Sequence, residues 1–410
     1  MTNTSPAAVK PAAADVEALD LDAVDLSDVT TFRDIDLVAL WRRFRDERPV
    51  RFQPPRGDRP GFWAVSRYAD VIAVYRDHRS FTTERGNLLT TLLTGGDSAS
   101  GKMLAVTDGQ RHREVRQLML KAFSPRVLGH VAERIKVRIR RLVAEAMERG
   151  EFDYAADVAE QIPIGTICDL LDIPEGDRQE LLGLSKSVLS SDTAAPDQTE
   201  MVLARNEMLL YFTDLATERR EHPGEDVVST LATSFLTHEE VVYNCYSLII
   251  GGDESSRLSS TGAIHAFAGH PEQWAALKNG DVSAESAVEE ILRWTTPAMH
   301  FGRTARVDVE VGGTLIPAGD AVTVWNTSAN YDERVFPEPE RFDLARTPNK
   351  HLTFGHGTHF CMGAFLGREQ LRAMVETVRE TVGAIELLGE PQQVYSNFMY
   401  GYCRLPVAFR

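Results

Sequence analysis

The residues best suited to chemistry lie together near the C-terminus, in Phe354-Gly355-His356-Gly357-Thr358-His359-Phe360-Cys361-Met362-Gly363. Glycine tolerates positive φ and lets backbone approach a neighbour closely. Two glycines before one cysteine and a third just after it therefore read as a cradle around the sulfur. The helical-looking run Ala364-Phe365-Leu366-Gly367-Arg368-Glu369-Gln370-Leu371 follows, so the cysteine stands where a helix begins. Free N–H groups and the positive end of the dipole favour thiolate there. A zinc site built from His351, His356, His359 and Cys361 is the alternative. Its spacing fits no familiar zinc pattern and leaves the glycines unexplained.

A second set of reactive side chains interrupts a long apolar helix. Thr237-His238-Glu239-Glu240 has the form of an N-cap and first turn, and an apolar run follows from Val241 to Ile250. Gly251-Gly252-Asp253-Glu254-Ser255-Ser256 then breaks the pattern before helix resumes through Ala263 and Phe267. Adjacent glycines weaken a helix by about 0.5–1 kcal/mol each, and Gly/Ser pairs kink it. An acid and hydroxyls at such a flaw offer room for a ligand and a route for protons. The alternative is a helix that ends at Gly251-Gly252 and restarts at a cap on Asp253. A third set, His112 and Arg116, is one helical turn apart and shares a face; taken alone, such a basic face is usually solvated.

The elements that position these groups are mostly helical. Helix is expected over 29–48, over 68–75, through most of 109–150, and over 154–191 and 199–222. Short strands are expected at 50–52, 62–65, 307–311 and 321–325. The stretch 82–101 is irregular and carries Leu88, Leu89, Leu92 and Leu93 among Thr, Gly and Ser; it reads as a binding wall or as a short surface helix. The fold class is mainly α with a smaller β-rich part. Residues 1–28 read as a flexible tail and 29–410 as a single domain with a helix-rich and a strand-rich lobe. With 410 residues and 43% hydrophobic content, the chain can bury a large core. A net charge of −16 argues against nucleic-acid binding. No apolar run approaches the length of a membrane span. Four scattered cysteines (Cys168, Cys245, Cys361, Cys403) suit a reducing cytoplasm.

Taken together, the motifs resemble the cytochrome P450 superfamily, in particular soluble bacterial enzymes of actinobacterial secondary metabolism. The cysteine loop matches the superfamily's haem-binding signature. Glu290-Ile291-Leu292-Arg293 resembles its E-x-x-R element, and Pro337 to Asp343 its following arginine-bearing segment. Gly251 to Ser255 resembles its oxygen-binding kink, with Ser255 where Thr is usual. The resemblance implies haem b (iron protoporphyrin IX) lying between a long kinked central helix and the cysteine loop. Cys361 would be the iron ligand, with Phe354, Gly355 and Gly363 shaping the loop around it. His112, Arg116, Arg303 and His359 would hold the propionates. Glu290, Arg293 and Arg341 would form a buried structural network. Gly252, Glu254 and Ser255 would serve oxygen activation and proton delivery. Pocket walls would include Leu88, Leu89, Leu93, Ile249, Met299, His300, Phe398 and Met399.

The implied activity is a monooxygenase that hydroxylates a small natural-product intermediate, amino-acid- or peptide-derived, free or held on a carrier protein. Electrons would come from NAD(P)H through a ferredoxin reductase and a ferredoxin, docked near Arg113, Arg126, Lys350, Arg368 and Arg372. A cytoplasmic monomer is expected. The alternatives are a haem-thiolate enzyme performing coupling, epoxidation or nitration, and a non-catalytic haem sensor or docking module.

Overall fold

The computed structural model describes residues 16–189, 192 and 197–410. Helices dominate: α1 (Leu37–Glu47), α2 (Tyr68–Arg76), α3 (Leu89–Leu93), α4 (Gly109–Ala122), α5 (Pro125–Arg149), α6 (Gln161–Leu170), α7 (Arg178–Leu189), α8 (Gln198–Glu221), α9 (His238–Gly269), α10 (Ala284–Thr295) and α11 (Ala364–Thr381) carry the argument below. The main core is built from α4 to α11 and is filled by residues such as Ile135, Phe212, Ile249, Phe267 and Val375.

Five strands form the principal sheet: β1 (Val50–Gln53), β2 (Phe62–Val65), β3 (Phe81–Thr82), β4 (His300–Ala305) and β5 (Ala321–Trp325). Their order is β1-β2-β5-β4-β3. The β2/β5 pair is parallel and the other pairs are antiparallel, with Arg303 opposite Val322 and His300 opposite Trp325. A second core packs Trp41 and Trp325 at 4.7 Å, with Phe32 stacked on Trp325 at 5.5 Å.

Local sequence explains the element ends. Thr237 and Glu240 form a reciprocal capping box at the start of α9. Ser124 caps α5, whose first residue is Pro125; this cap divides the long helical pattern of 109–150 in two. Asp36 caps α1 by accepting from Val38 and Ala39 N–H, which splits the expected 29–48 helix after Asp34. The pair Gly251-Gly252 does not end α9, which runs unbroken for 32 residues. Two helices joined at a new cap on Asp253 are therefore excluded.

The expected tail boundary at residue 28 is corrected. Val16, Leu21, Val24 and Leu26 are buried in the second core. Arg51 donates to the carbonyls of Asp22 and Val24 at 3.0 Å each. Asn397 Nδ2 donates to the carbonyl of Ser27 at 3.0 Å, so this segment also touches the far end of the chain. The rest of the expected tail, residues 1–15, lies outside the described residues.

Candidate active site

The cysteine loop is held from behind by its own backbone and by α2. Cys361 N–H donates to the Phe354 carbonyl at 3.0 Å, and Gly355 N–H to the Leu352 carbonyl at 2.8 Å. Gly355 and Gly357 have φ of +68° and +76°, which only glycine adopts readily. A Cβ on Gly357 would lie 2.6 Å from the Tyr75 carbonyl oxygen at the end of α2, so this glycine is also required by space. Gly363 precedes α11, and a Cβ there would sit 3.9 Å from the Cys361 sulfur. The Phe354 ring lies under the Arg368 guanidinium at 4.6 Å.

Cys361 presents an accessible surface. Its thiol is nevertheless raised above the ordinary value, because the surrounding protein strips water from the sulfur. N–H groups of Gly363 and Ala364 and the charges of Arg116 and Arg368 pull the other way. The helix start alone therefore does not make a thiolate here; a bound cation such as a metal would.

Beside the loop, four basic side chains from three parts of the chain converge. His112 (α4) and His359 (loop) have ring centroids 4.3 Å apart. His359 Nε2 meets Asp108 Oδ1 at 2.8 Å. Arg303 (β4) is buried with its guanidinium 5.2 Å from the Tyr75 ring. Arg116 donates to the Phe360 carbonyl at 2.7 Å. His112 is 3% exposed, and its buried Nε2 makes no hydrogen bond among the described residues. Burial, with His359 and Arg116 nearby, lowers His112 to about 4, so it is neutral near pH 7. Asp108 falls far below the usual carboxylate range: hydrogen bonds from His359, Thr82 and Thr83 outweigh its burial.

Glu290 and Arg293 form the expected buried pair, with two bonds of 2.8 Å and both side chains fully enclosed. The third member is corrected. The Arg341 side chain is 59% exposed and turns toward Glu338 at 3.6 Å. Arg346 reaches Glu290 instead, at 3.1 Å, with Asn349 Nδ2 and Asp343 N–H each at 3.0 Å. Arg341 contributes only its carbonyl, which accepts from Arg293 and Arg346. Asn330 joins this region to the loop: its amide donates to Thr296 and Thr353, and its oxygen accepts from Leu352 N–H at 2.6 Å.

On α9, a Cβ at Gly252 would meet Ile167 at 3.0 Å. Ser255 Oγ donates to the Gly251 carbonyl at 3.4 Å, the local back-bond that bends helices. Glu254 is 3% exposed and accepts from Arg257 at 3.0 Å. Burial raises Glu254 to about 7, against the lowering field of Arg257.

The expected pocket walls divide. Ile249, Leu89, Met299 and His300 are enclosed at 0–1% exposure, which leaves no face for a ligand. They are core and positioning residues. His300 Nε2 accepts the Leu89 N–H at 3.3 Å, and Gly302 N–H donates to the Asn87 carbonyl at 2.7 Å, so β4 pins the start of α3 in place. Leu88, Leu93 and Phe398 keep part of their surface, and Met399 retains 6%. Of the charges expected to dock an electron donor, Arg126, Arg368 and Arg372 are already paired with Glu225, Glu289 and Glu369. His351 and His356 of the zinc alternative are bonded to Glu289 and Arg76. Among the described residues, no group of three or more His, Cys, Asp or Glu could hold a metal ion.

Asp108, Arg346, Arg257 and Asn330 were missed. Asp108 could have been suspected from the Asp108-Gly109-Gln110-Arg111-His112 entry to α4. Arg346 lies five residues from the motif arginine, and nothing in its local sequence marks it.

The cytochrome P450 family model matches residues 284–380. Cytochrome P450 NovI from Streptomyces niveus is 49% identical over 379 residues, 91% of this chain and 93% of that protein. The chain belongs to the cytochrome P450 family. A methyl-branched lipid omega-hydroxylase from Mycobacterium tuberculosis (strain ATCC 25618 / H37Rv) is 32% identical over 386 residues, 89% of each chain. The crystal structure of P450 OxyD, described as involved in the biosynthesis of vancomycin-type antibiotics, superposes with a TM-score of 0.87 at 33% identity, covering 94% of this chain and 99% of that one.

As a P450 the chain is a haem-dependent oxygenase that draws electrons from an external donor, and the residues present fit that group. The orphaned His112 Nε2 beside buried Arg303 is what two propionates would satisfy, since buried carboxylates need charged donors. No helix among the described residues is long and apolar enough to cross a membrane.

Proposed function

We propose that this P450 is a monooxygenase that hydroxylates a small natural-product intermediate, derived from an amino acid or peptide and free or presented on a carrier protein. The observation that supports this reading best is the pairing of an accessible Cys361 with the His112, Arg116, Arg303 and His359 cluster beside it. Haem ligated by the Cys361 thiolate would supply oxygen activation, with the thiolate donating electron density that favours O–O cleavage. Cys361 would be the ligand, its loop held in place by Gly355, Gly357 and the Phe354 carbonyl. Arg303 and Arg116 would neutralise the propionates, and His112 and His359 would hydrogen-bond them. Arg293, Glu290 and Arg346 fix the backbone that carries the loop.

On the opposite face, Glu254 and Ser255 hold and move protons. With Glu254 raised to about 7, a carboxylic proton is present near neutral pH. Gly252, with no side chain, lets α9 pack closely on Ile167, whereas Gly251 leaves open space beside it. Leu88, Leu93 and Phe398 offer apolar surface to the substrate and exclude water. A ferredoxin, reduced by NAD(P)H through its reductase, supplies electrons to a cytoplasmic monomer. The Mycobacterium and OxyD proteins bracket lipid and antibiotic chemistry by name, and the likeness to OxyD over 94% of this chain supports the natural-product side.

Reduced, CO-treated protein should show the red-shifted Soret band of thiolate-ligated haem, and Cys361→Ala should abolish it. Purified protein without that band would overturn the reading. A spin-state screen of free and carrier-bound amino acids then separates the two forms of substrate; no response to either class would refute the substrate assignment.

A further inference from the structure

The middle of α9 carries two neighbouring buried acids, Asp253 and Glu254, and both are tied to the part of the chain that contains α7. Asp253 Oδ2 accepts from Ser185 Oγ at 2.6 Å. Glu254 Oε1 accepts from Arg257 Nη2 at 3.0 Å. Arg257 in turn donates to both oxygens of Asp192, at 3.0 and 2.7 Å. The Arg257 side chain is 8% exposed and that of Asp192 is 45% exposed. One buried cation is thus shared between an inner acid and an outer one. The two-toothed grip of Asp192 fixes the plane of the guanidinium, and with it the N–H offered to Glu254.

We propose that Asp192 and Arg257 are positioning residues that keep Glu254 in its protonated, proton-donating form. The inference rests on the proton-delivery role given above to Glu254.

The argument is one of opposing fields. Arg257 by itself would draw Glu254 toward carboxylate. Asp192, clamped on the other side of the same guanidinium, cancels much of that pull. Burial is the largest influence on Glu254 and raises it; Arg257 lowers it, and Asp192 and Asp253 raise it again. Among the described residues, the other charged groups on the cluster do not reverse this. Asp253 is itself pushed up to about 6 by burial, and Glu160 and Lys186, which also act on it, are paired with each other at 2.6 Å. The Cys403 thiol, raised to about 11, stays neutral. With Asp192 in place, Glu254 holds a proton near pH 7, passes it toward the Ser255 hydroxyl, and regains one from water. No electrons move in this exchange. With Asp192 withdrawn, the Arg257 charge falls on Glu254 uncancelled and the carboxylate is favoured.

The test uses the haem-loaded enzyme and three variants, Asp192→Asn, Asp192→Glu and Glu254→Gln. The infrared band of the protonated Glu254 carboxyl, identified by its loss in E254Q, is titrated against pH. D192N should move the midpoint down by about one unit or more, the size expected when a neighbouring charge is lost, and D192E should restore it. The fraction of reducing equivalents released as peroxide should rise in D192N and return in D192E. An unchanged midpoint in D192N would overturn the proposal while leaving proton delivery by Glu254 intact. Wild-type peroxide yield in E254Q would overturn the delivery role itself, and the proposal with it. The CO band of each variant checks that the cysteine side is undisturbed; a folded D192N with that band and no change in either readout also overturns the proposal.

Discussion

Arg346 and Arg341 make a paired test of how the cysteine loop is supported. Glu290 is fully enclosed and accepts five bonds within 3.1 Å: two from Arg293, one from Asp343 N–H, one from Asn349 and one from Arg346. Stripping a buried charge of its partner costs about 3–5 kcal/mol. Arg346→Ala leaves Arg293 in its two-toothed grip, so the loss is smaller. It removes one charge-assisted contact to a buried carboxylate, worth about 1.5–3 kcal/mol. It also removes bonds to the carbonyls of Pro337, Glu338 and Arg341, which lie near the surface and add little. The expected cost is about 2–3 kcal/mol. Arg341→Ala removes an exposed side chain and leaves in place the carbonyl that Arg293 and Arg346 use. Its cost should stay within about 0.5 kcal/mol. Urea unfolding of the haem-loaded protein measures both, the midpoint falling at constant slope for Arg346→Ala. Equal losses in the two variants, or a loss in Arg341→Ala alone, would refute the assignment of Arg346.

Gly357→Ala combines a left-handed backbone with a collision at the Tyr75 carbonyl. It should cost about 1–2 kcal/mol for the backbone and a similar amount for the overlap. Gly313→Ala, at φ +80° with open space around it, should cost only the first part, and thermal unfolding separates the two. Glu254 is raised from 4.5 to about 7, so the folded state keeps this proton longer than the unfolded chain does. That contribution is complete below about pH 4.5 and is lost as pH rises through about 7. Glu254→Gln should therefore gain on the wild type between pH 5 and pH 8, by on the order of 2–3 kcal/mol; parallel stability curves would contradict the raised value. Ser255→Ala should increase the share of electrons lost as peroxide, and an unchanged share would remove Ser255 from the relay.

Much of the site was legible because its logic is local. The glycines of the cysteine loop, the Thr237/Glu240 capping box and the i, i+3 pair of Glu290 and Arg293 each sit within a few residues, where spacing alone constrains geometry. The His112 and Arg116 face was legible for the same reason. What failed depends on where the chain turns. Arg341 and Arg346 both lie in an irregular stretch, and only the path of the backbone decides which one faces Glu290. Ile249, Met299 and Leu89 are apolar in either role, so composition could not tell a pocket wall from the core behind it. The boundary at residue 28 failed because an acidic segment can still bury Val16, Leu21, Val24 and Leu26 when polar neighbours such as Arg51 and Gln53 bond its backbone.

The bond from Asn397 to the Ser27 carbonyl spans 370 residues of sequence. It joins the segment around Ser27 to the stretch that carries Phe398 and Met399. On a ribosome, the residues around Ser27 emerge long before Asn397 exists, and pairings of such separation form slowly once they become available. The Asn397–Ser27 pairing therefore closes after the local contacts around Glu290 and Arg293 have had time to form.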